Sequence, residues 1–327
     1  MPTCGLKHRA TPELNPTKSM LQPTRFSCRG FGENQVVRCL ERTGLSRTPP
    51  RPSAWAMPEL PEVETTLRGV APYLLGHRIV AVTVRERRLR WPIPEAVDNL
   101  AGVTIETARR RAKYLLFGTS AGTLLIHLGM SGGLRIVDPA ADWKKHDHVG
   151  VLLSSGKQLR FHDPRRFGCM LLVDAATPER HPLLADLGPE PLEAGFTAEH
   201  LFALSRAKTS AVKPFIMDAS VVVGVGNIYA SEALFMAGIR PTRPAGKVTR
   251  AEFARLVEAI QRVLAASIES GGTTLRDFLR EDGAPGYFKQ SLRVYDREGA
   301  GCVRCAGVVK RSVLGQRATY FCPQCQR

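Results

Sequence analysis

Two groups of residues in this chain could do chemistry: the run Met57-Pro58-Glu59-Leu60-Pro61-Glu62-Val63-Glu64 and four cysteines close to the C-terminus. If Met57 is the true first residue and is removed, Pro58 becomes a secondary amine with two carboxylates, Glu59 and Glu62, close by. Such an amine attacks an aldehyde-like carbon with its own lone pair and forms an iminium. Inside a peptide bond the same nitrogen is an amide without basicity, so its position decides whether Pro58 is a nucleophile. The plain alternative is a Pro-initiated helix start, with acidic residues complementing the helix dipole.

The cysteines read Cys302-x2-Cys305, sixteen residues, then Cys322-x2-Cys325. Two such knuckles present four thiolates to one tetrahedral Zn2+. Strand formers from Val308 to Phe321 flank Gly315-Gln316, so a β-hairpin is expected to project from the metal. Paired disulfides are the alternative, but this spacing in a chain without a secretion signal favours zinc. A module this small needs its metal to fold. Cys169 reads as a packed strand thiol; Cys4, Cys28 and Cys39 have no metal-like spacing.

The elements that must position these groups follow from periodicity. Val63, Leu67, Val70 and Leu74 recur at helical spacing, so Pro61 to Leu74 is expected to be a helix ended by Gly76. Its acidic residues then cluster at the helix start, next to the amine. Between Arg78 and Val173 the period falls to two, with strands expected at 79–84, 114–117, 123–128, 149–153, 158–162 and 169–173. That pattern predicts a β-sandwich or barrel. A Pro- and Gly-rich linker follows at 181–195, then helices near 198–205, 211–218, 228–237 and 250–269, with Asn227 as a candidate N-cap.

The net charge of +16 over 327 residues points to a polyanionic partner. A basic ribosomal-type or membrane-surface protein would share that charge. No apolar run approaches about eighteen residues, which excludes a transmembrane helix. Residues 1–57 are read as a disordered or non-native extension: residues 1–56 carry nine Lys/Arg against three Glu, without periodicity. Upstream sequence translated from a misplaced start is the expectation there, with a transit peptide as the alternative.

Six motifs, in order, resemble the signatures of the bacterial formamidopyrimidine-DNA glycosylase family: PELPEVE from Pro58, HLGMSG at 127–132, DPRRFG at 163–168, GVGNIYASE at 224–232, GGTTLRDF at 271–278 and QRATYFCPQCQ at 316–326. The resemblance spans 58–327 and implies an α+β multidomain fold. Its parts would be a catalytic β-sandwich with a leading helix (58–180), the linker (181–195), a helix-two-turns-helix DNA-binding domain with a lesion loop (196–292), and a zinc finger with a β-hairpin (293–327). It implies a bifunctional DNA glycosylase and abasic-site lyase for oxidised purines, 8-oxoguanine and formamidopyrimidines. The partner is damaged double-stranded DNA, with one structural Zn2+, no membrane, a monomeric state and a cytoplasmic location.

Carried onto this chain, the resemblance makes the Pro58 amine the attacker of C1′ of the damaged nucleotide. Glu59 exchanges protons with the sugar ring oxygen and water, and Glu62 is a supporting carboxylate that positions the amine or its water. Lys113 and Arg317 match cations that contact phosphates and assist elimination. Met130, Arg165 and Phe167 match the residues that fill the void left by the flipped nucleotide. His127, His146, Lys208, Asn227 and Tyr295 fall on or near DNA-contacting positions, with Thr209 an equal alternative to Lys208. Both histidines could equally be ordinary structural residues. Asn227 and the amides beside it form a candidate anion cradle. Gly271, Gly272, Thr273, Thr274 and Tyr287 belong to the expected lesion loop. Two rivals stand beside this reading: an endonuclease VIII-like enzyme for oxidised pyrimidines, and a catalytically silent DNA-binding protein, since Pro58 as written is an amide.

Overall fold

A computed structural model describes residues 58–271 and 292–327. The expected extension at 1–57 therefore lies outside the described residues. Helix α1 spans Leu60–Leu74, and its stripe Val63, Leu67, Val70 and Leu74 is buried as the spacing requires. Gly76 follows the helix at φ +75°, a left-handed position that suits glycine.

Strands β1 (Ile79–Val84), β2 (Ile105–Arg111), β3 (Tyr114–Thr119), β4 (Gly122–His127), β5 (Gly133–Val137), β6 (Asp147–Leu153), β7 (Gln158–His162) and β8 (Cys169–Val173) form two antiparallel sheets. Their orders are β1-β6-β7-β5 and β2-β3-β4-β8. Ile79, Val149, Val151 and Phe161 from one sheet meet Leu115, Phe117, Ile126 and Met170 from the other, with the α1 stripe in the same core. A 3-10 helix, Glu95–Leu100, adds Val97 and Leu100.

Two strands were not expected from periodicity. β2 carries Arg109, Arg110 and Arg111, whose charges are met by Glu179, Glu64 and Glu190. Ion pairing, rather than apolar alternation, accommodates that strand's side chains, so it shows no period-two signal. β5 begins on Gly133 and is only five residues long. The 181–195 segment is packed rather than free: Leu183, Leu184 and Leu187 cover Leu116, Leu125 and Val173 on the outer face of the second sheet.

The helical half contains α2 (Ala198–Ser205), α3 (Val212–Met217), α4 (Asn227–Ala237) and α5 (Arg250–Gly271), with α5 packed along α1, α2 and α4. α4 is buried almost all round, Ser231 and Glu232 included, so its apolar residues show no single stripe. Beyond it, β9 (Lys310–Leu314) and β10 (Arg317–Phe321) form the expected hairpin. Gly315 and Gln316 both have positive φ, as a two-residue type I′ turn demands. Val294, Val309 and Tyr320 pack against Phe235 of α4. Arg304 donates to the Phe235 and Met236 carbonyls at the C-terminal end of that helix. Among the described residues no helix is long and apolar enough to cross a membrane.

Candidate active site

The first turn of α1 meets the N-terminus of α4, and the contact is made by Glu59. Its Oε1 accepts from Ile228 N at 2.9 Å and its Oε2 from Tyr229 N at 3.3 Å. The N-cap of α4 is Gly226, not Asn227, which is the first helical residue. A Cβ on Gly226 would lie 2.2 Å from Cδ of Glu59. The glutamate therefore occupies the place an N-cap side chain would fill, and satisfies orphan amides of a helix it does not belong to. The amides read as a candidate cradle for a phosphate are thus taken, in the case of Ile228 and Tyr229, by the Glu59 carboxyl. Burial to 3% exposure pushes its carboxyl up to about 7; the Lys113 charge and the two amides pull the other way.

Glu62 lies one turn on. Its Oε2 accepts from the Glu59 backbone N–H at 3.0 Å, and its Oε1 accepts from the Tyr229 hydroxyl at 2.6 Å. Tyr229 also shares a 2.7 Å hydrogen bond with Ser267 on α5. Burial raises the Glu62 carboxyl, opposed by Tyr229. Lys113 sits in the two-residue turn between β2 and β3. Burial lowers its ammonium while the charges of Glu59 and Glu62 raise it, and Arg317 lowers it further. Glu59, Glu62 and Lys113 from the sandwich and Arg317 from the zinc-finger hairpin thus form one electrostatic neighbourhood, seated on the start of α4. Pro58, half-buried, immediately precedes Glu59.

Lys213 was missed by sequence reading. Although fully buried on α3, its Nζ donates to Asn227 Oδ1 at 2.6 Å, Thr319 Oγ1 at 2.8 Å and the Ala318 carbonyl at 3.1 Å. Burial brings its pKa down to about 8. This side chain bolts the hairpin carrying Arg317 to the start of α4. Its only sequence signal is a lysine inside the apolar run Val212–Met217. Asn227 Nδ2 reaches Tyr295 Oη at 3.5 Å. Tyr295 is held in turn because Glu232 accepts the Arg293, Val294 and Tyr295 amides at 2.8–3.0 Å. Lys208 is exposed in the turn before α3 and takes no part in this cluster.

The loops 128–132 and 163–168 are stapled together by Asp163, which is buried. It accepts from Ser131 Oγ at 2.9 Å, Gly168 N at 2.8 Å and Arg165 N at 3.3 Å. Gly129 stands at φ +65° against the Phe167 backbone, where a Cβ would come within 2.5 Å. The staple leaves Phe167 42% exposed beneath the Arg165 guanidinium, at 4.9 Å, with Met130 half-buried nearby. Replacing Asp163 with Ala strands the buried Gly168 amide and is expected to cost about 2–3 kcal/mol. Urea denaturation of Asp163→Ala checks this; an unchanged midpoint would remove the staple.

His127 ends β4, and its Nδ1 accepts from Gly129 N at 3.0 Å. Burial, then the charge of Lys113, brings it down to about 4, so the ring is neutral at pH 7. Its local bond to Gly129 is the structural reading, and its place beside Lys113 is the functional one. His146 lies apart, at the mouth of the other sheet, beside His148 and His162. Burial pushes the Cys169 thiol up to about 11, consistent with an inert packed residue. Gly271 is the buried last residue of α5, while Gly272, Thr273, Thr274 and Tyr287 lie outside the described residues.

The Sγ atoms of Cys302, Cys305, Cys322 and Cys325 all lie within 4.8 Å of one another and none is in a disulfide. Cys302–Cys325 and Cys305–Cys322 are 3.8 and 3.6 Å apart. Tetrahedral zinc with bonds of about 2.3 Å needs sulfurs about 3.8 Å apart, so the four thiols fit it. Amides of Arg304 and Gly307 point at the Cys302 and Cys305 sulfurs, as thiolates require. The chain holds one structural zinc here.

Three family profiles match consecutive parts of the chain: Formamidopyrimidine-DNA glycosylase N-terminal domain at 57–170, Formamidopyrimidine-DNA glycosylase H2TH domain at 187–279, and Zinc finger found in FPG and IleRS at 302–327. The chain is 60% identical over 272 residues to a formamidopyrimidine-DNA glycosylase of Methylococcus capsulatus, covering 83% of this chain and all of that relative. Among solved structures it resembles a Lactococcus lactis Fpg in complex with abasic-site DNA (TM-score 0.75, 30% identity, 82% of this chain and 99% of that one). It is similar, too, to MutM in complex with carbocyclic 8-oxo-G containing DNA (TM-score 0.75, 31% identity, 83% and 100%). These likenesses, joined to a site assembled from all three matched parts, make the chain a member of the formamidopyrimidine-DNA glycosylase family, a zinc-finger DNA-repair glycosylase and abasic-site lyase.

Proposed function

We propose that this enzyme excises oxidised purines, 8-oxoguanine and formamidopyrimidines, from duplex DNA and then cuts the strand at the resulting abasic site. The observation that carries the reading is a buried carboxyl beside Pro58, seated on the Ile228 and Tyr229 amides with Lys113 close by, whose burial pushes it up to about 7. Such a carboxyl can give and take protons at neutral pH. Support for the substrate comes from the relatives solved with abasic-site DNA and with 8-oxo-G DNA.

The Pro58 nitrogen forms a bond to C1′ while the glycosidic bond breaks and its electron pair leaves with the base. Glu59 delivers a proton to the ring oxygen as the sugar opens, and the proton lost by the amine is taken up by the departing base, leaving an iminium. Loss of a C2′ proton then expels the 3′ phosphate, and a second elimination expels the 5′ phosphate. Lys113 and Arg317 stabilise the departing phosphates. Glu62, tied to the Glu59 amide and to Tyr229, keeps the helix start in place. Phe167, Met130 and Arg165, presented by the Asp163 staple, fill the void in the duplex. Asn227, Tyr295, His127, His146 and Lys208 supply phosphate contacts, and Gly271, Gly272, Thr273, Thr274 and Tyr287 are assigned to recognition of the lesion. Zinc supplies no chemistry to the reaction; its cysteines hold the hairpin. Because one chain supplies every group, the enzyme acts as a monomer, at the bacterial nucleoid.

This mechanism requires Pro58 to be N-terminal, so the active chain begins there and residues 1–57 are not part of it. The first family profile begins at residue 57, which supports that boundary. A chain beginning at Pro58, given 8-oxoguanine:cytosine duplex and borohydride, should yield a covalent adduct. A chain shown by intact mass to retain residues 1–57 should yield none. Equal trapping by both would overturn the nucleophile, and a preference for thymine glycol would overturn the substrate.

A further inference from the structure

The turn that carries Lys113 is strained. Ala112, its first residue, stands at φ +54°, where an L-residue pushes its Cβ against its own carbonyl and glycine would be the default. The register Arg111 to Tyr114 leaves only Ala112 and Lys113 to make the reversal. Something outside the turn has to hold it.

Glu190 does so. Its Oε1 accepts the Ala112 backbone N–H at 2.6 Å and Arg111 Nη1 at 3.1 Å; its Oε2 accepts Arg110 Nη1 at 2.7 Å. The same Arg110 Nη1 donates to the Ala112 carbonyl at 2.9 Å, so both peptide groups of the strained residue are gripped from outside. Arg110 Nε runs on to Glu64 Oε2 at 2.9 Å, joining the turn to the helix that bears Glu59 and Glu62. Glu190 is 7% exposed although it belongs to the connecting segment. That segment is itself anchored in the helical half by Gly188 N to the Ala219 carbonyl at 2.8 Å and Val223 N to the Pro189 carbonyl at 3.2 Å. A Cβ on Gly188 would come within 2.7 Å of the Ser220 carbonyl oxygen, so the close approach needs glycine.

We propose that Glu190 is a positioning residue for Lys113: its carboxylate holds the strained Ala112 turn and sets where the lysine stands relative to Glu59. A buried ion pair alone would be an ordinary packing feature. The bond to the backbone amide of a left-handed alanine, adjacent to the lysine, is what directs this carboxylate at the site. The proposal rests on Lys113 assisting elimination, and displacing such a group by about 1 Å can cost on the order of 100-fold in rate.

Single-turnover rates of base excision and of scission at a preformed abasic site, measured on chains beginning at Pro58, test it. Glu190→Ala should slow scission on the order of 10- to 100-fold, while excision stays within a few-fold of wild type. Adding Ala112→Gly should restore scission, because glycine holds φ +54° without help. Equal loss of both steps would make Glu190 merely structural and overturn the proposal, as would normal scission or a double variant no faster than Glu190→Ala. Lys113→Ala separates the two levels. If it is slow while Glu190→Ala is not, only the positioning role falls. If Lys113→Ala cuts abasic DNA at the wild-type rate, the assignment of Lys113 falls and takes this inference with it. Should Glu190→Ala not fold, the isosteric Glu190→Gln carries the same comparison of the two steps.

Discussion

Glu59→Gln is expected to lose base excision by about 100- to 10,000-fold, the usual weight of a positioned general acid, and to change how stability depends on pH. In the folded enzyme burial holds this carboxyl near 7, against an ordinary value near 4.5. The folded state therefore keeps its proton more tightly than the unfolded chain does. Stability contributed by that protonation is complete below about pH 4.5 and is lost as pH rises through about 7. The span corresponds to about 3 kcal/mol. Glutamine does not titrate, so the difference in unfolding free energy between wild type and variant should move by that order between pH 4 and pH 8 (roughly the window of the shift), in the variant's favour at the alkaline end. Urea denaturation across this range, paired with single-turnover excision, checks both halves. Parallel stability curves would mean that Glu59 is not desolvated, and an unchanged excision rate would remove it from the chemistry.

Removing the zinc should have the other large effect. The hairpin module has a core of Val294, Val309, Tyr320 and Phe235, with the cysteines closing one side. Structural zinc commonly contributes about 10–16 kcal/mol of apparent binding energy, more than so small a core provides. Chelation, or Cys322→Ser at the fully buried ligand, is expected to unfold 293–327 while the sandwich persists. Arg317 then leaves the site, Lys213 loses Thr319 and the Ala318 carbonyl, and scission of abasic DNA falls. Hydrogen exchange read by peptide should show 302–327 exchanging at coil rates, with 60–74 still protected. Retained protection across 302–327 after metal loss, verified by mass spectrometry, would show that the fold of the module does not depend on zinc.

Much of the frame was legible in sequence because its cause is local. The stripe Val63, Leu67, Val70, Leu74, the alternation at 158–162, the short apolar run at 169–173, and the two CxxC knuckles each follow from one local pattern or one ligand geometry. β2 was missed because its arginines find carboxylates on other elements instead of an apolar face. Asn227 read as a cap because cap preference is a property of residue type; the cap is a glycine whose missing side chain makes room for Glu59. Lys213 and Glu190 gave no pattern to read, since each is explained only by the partners it meets.

By itself, then, the sequence determined the metal ligands and the order of the helices and of all strands but β2 and β5, and it nominated the reacting groups. The tertiary structure alone decided what those groups can do. The two amides that receive Glu59 lie 169 and 170 residues away in the chain, Lys113 approaches it from the β2–β3 turn, and Arg317 acts in turn on Lys113. A proton affinity is set by burial and by neighbouring charge, and both come from parts of the chain that only folding brings together.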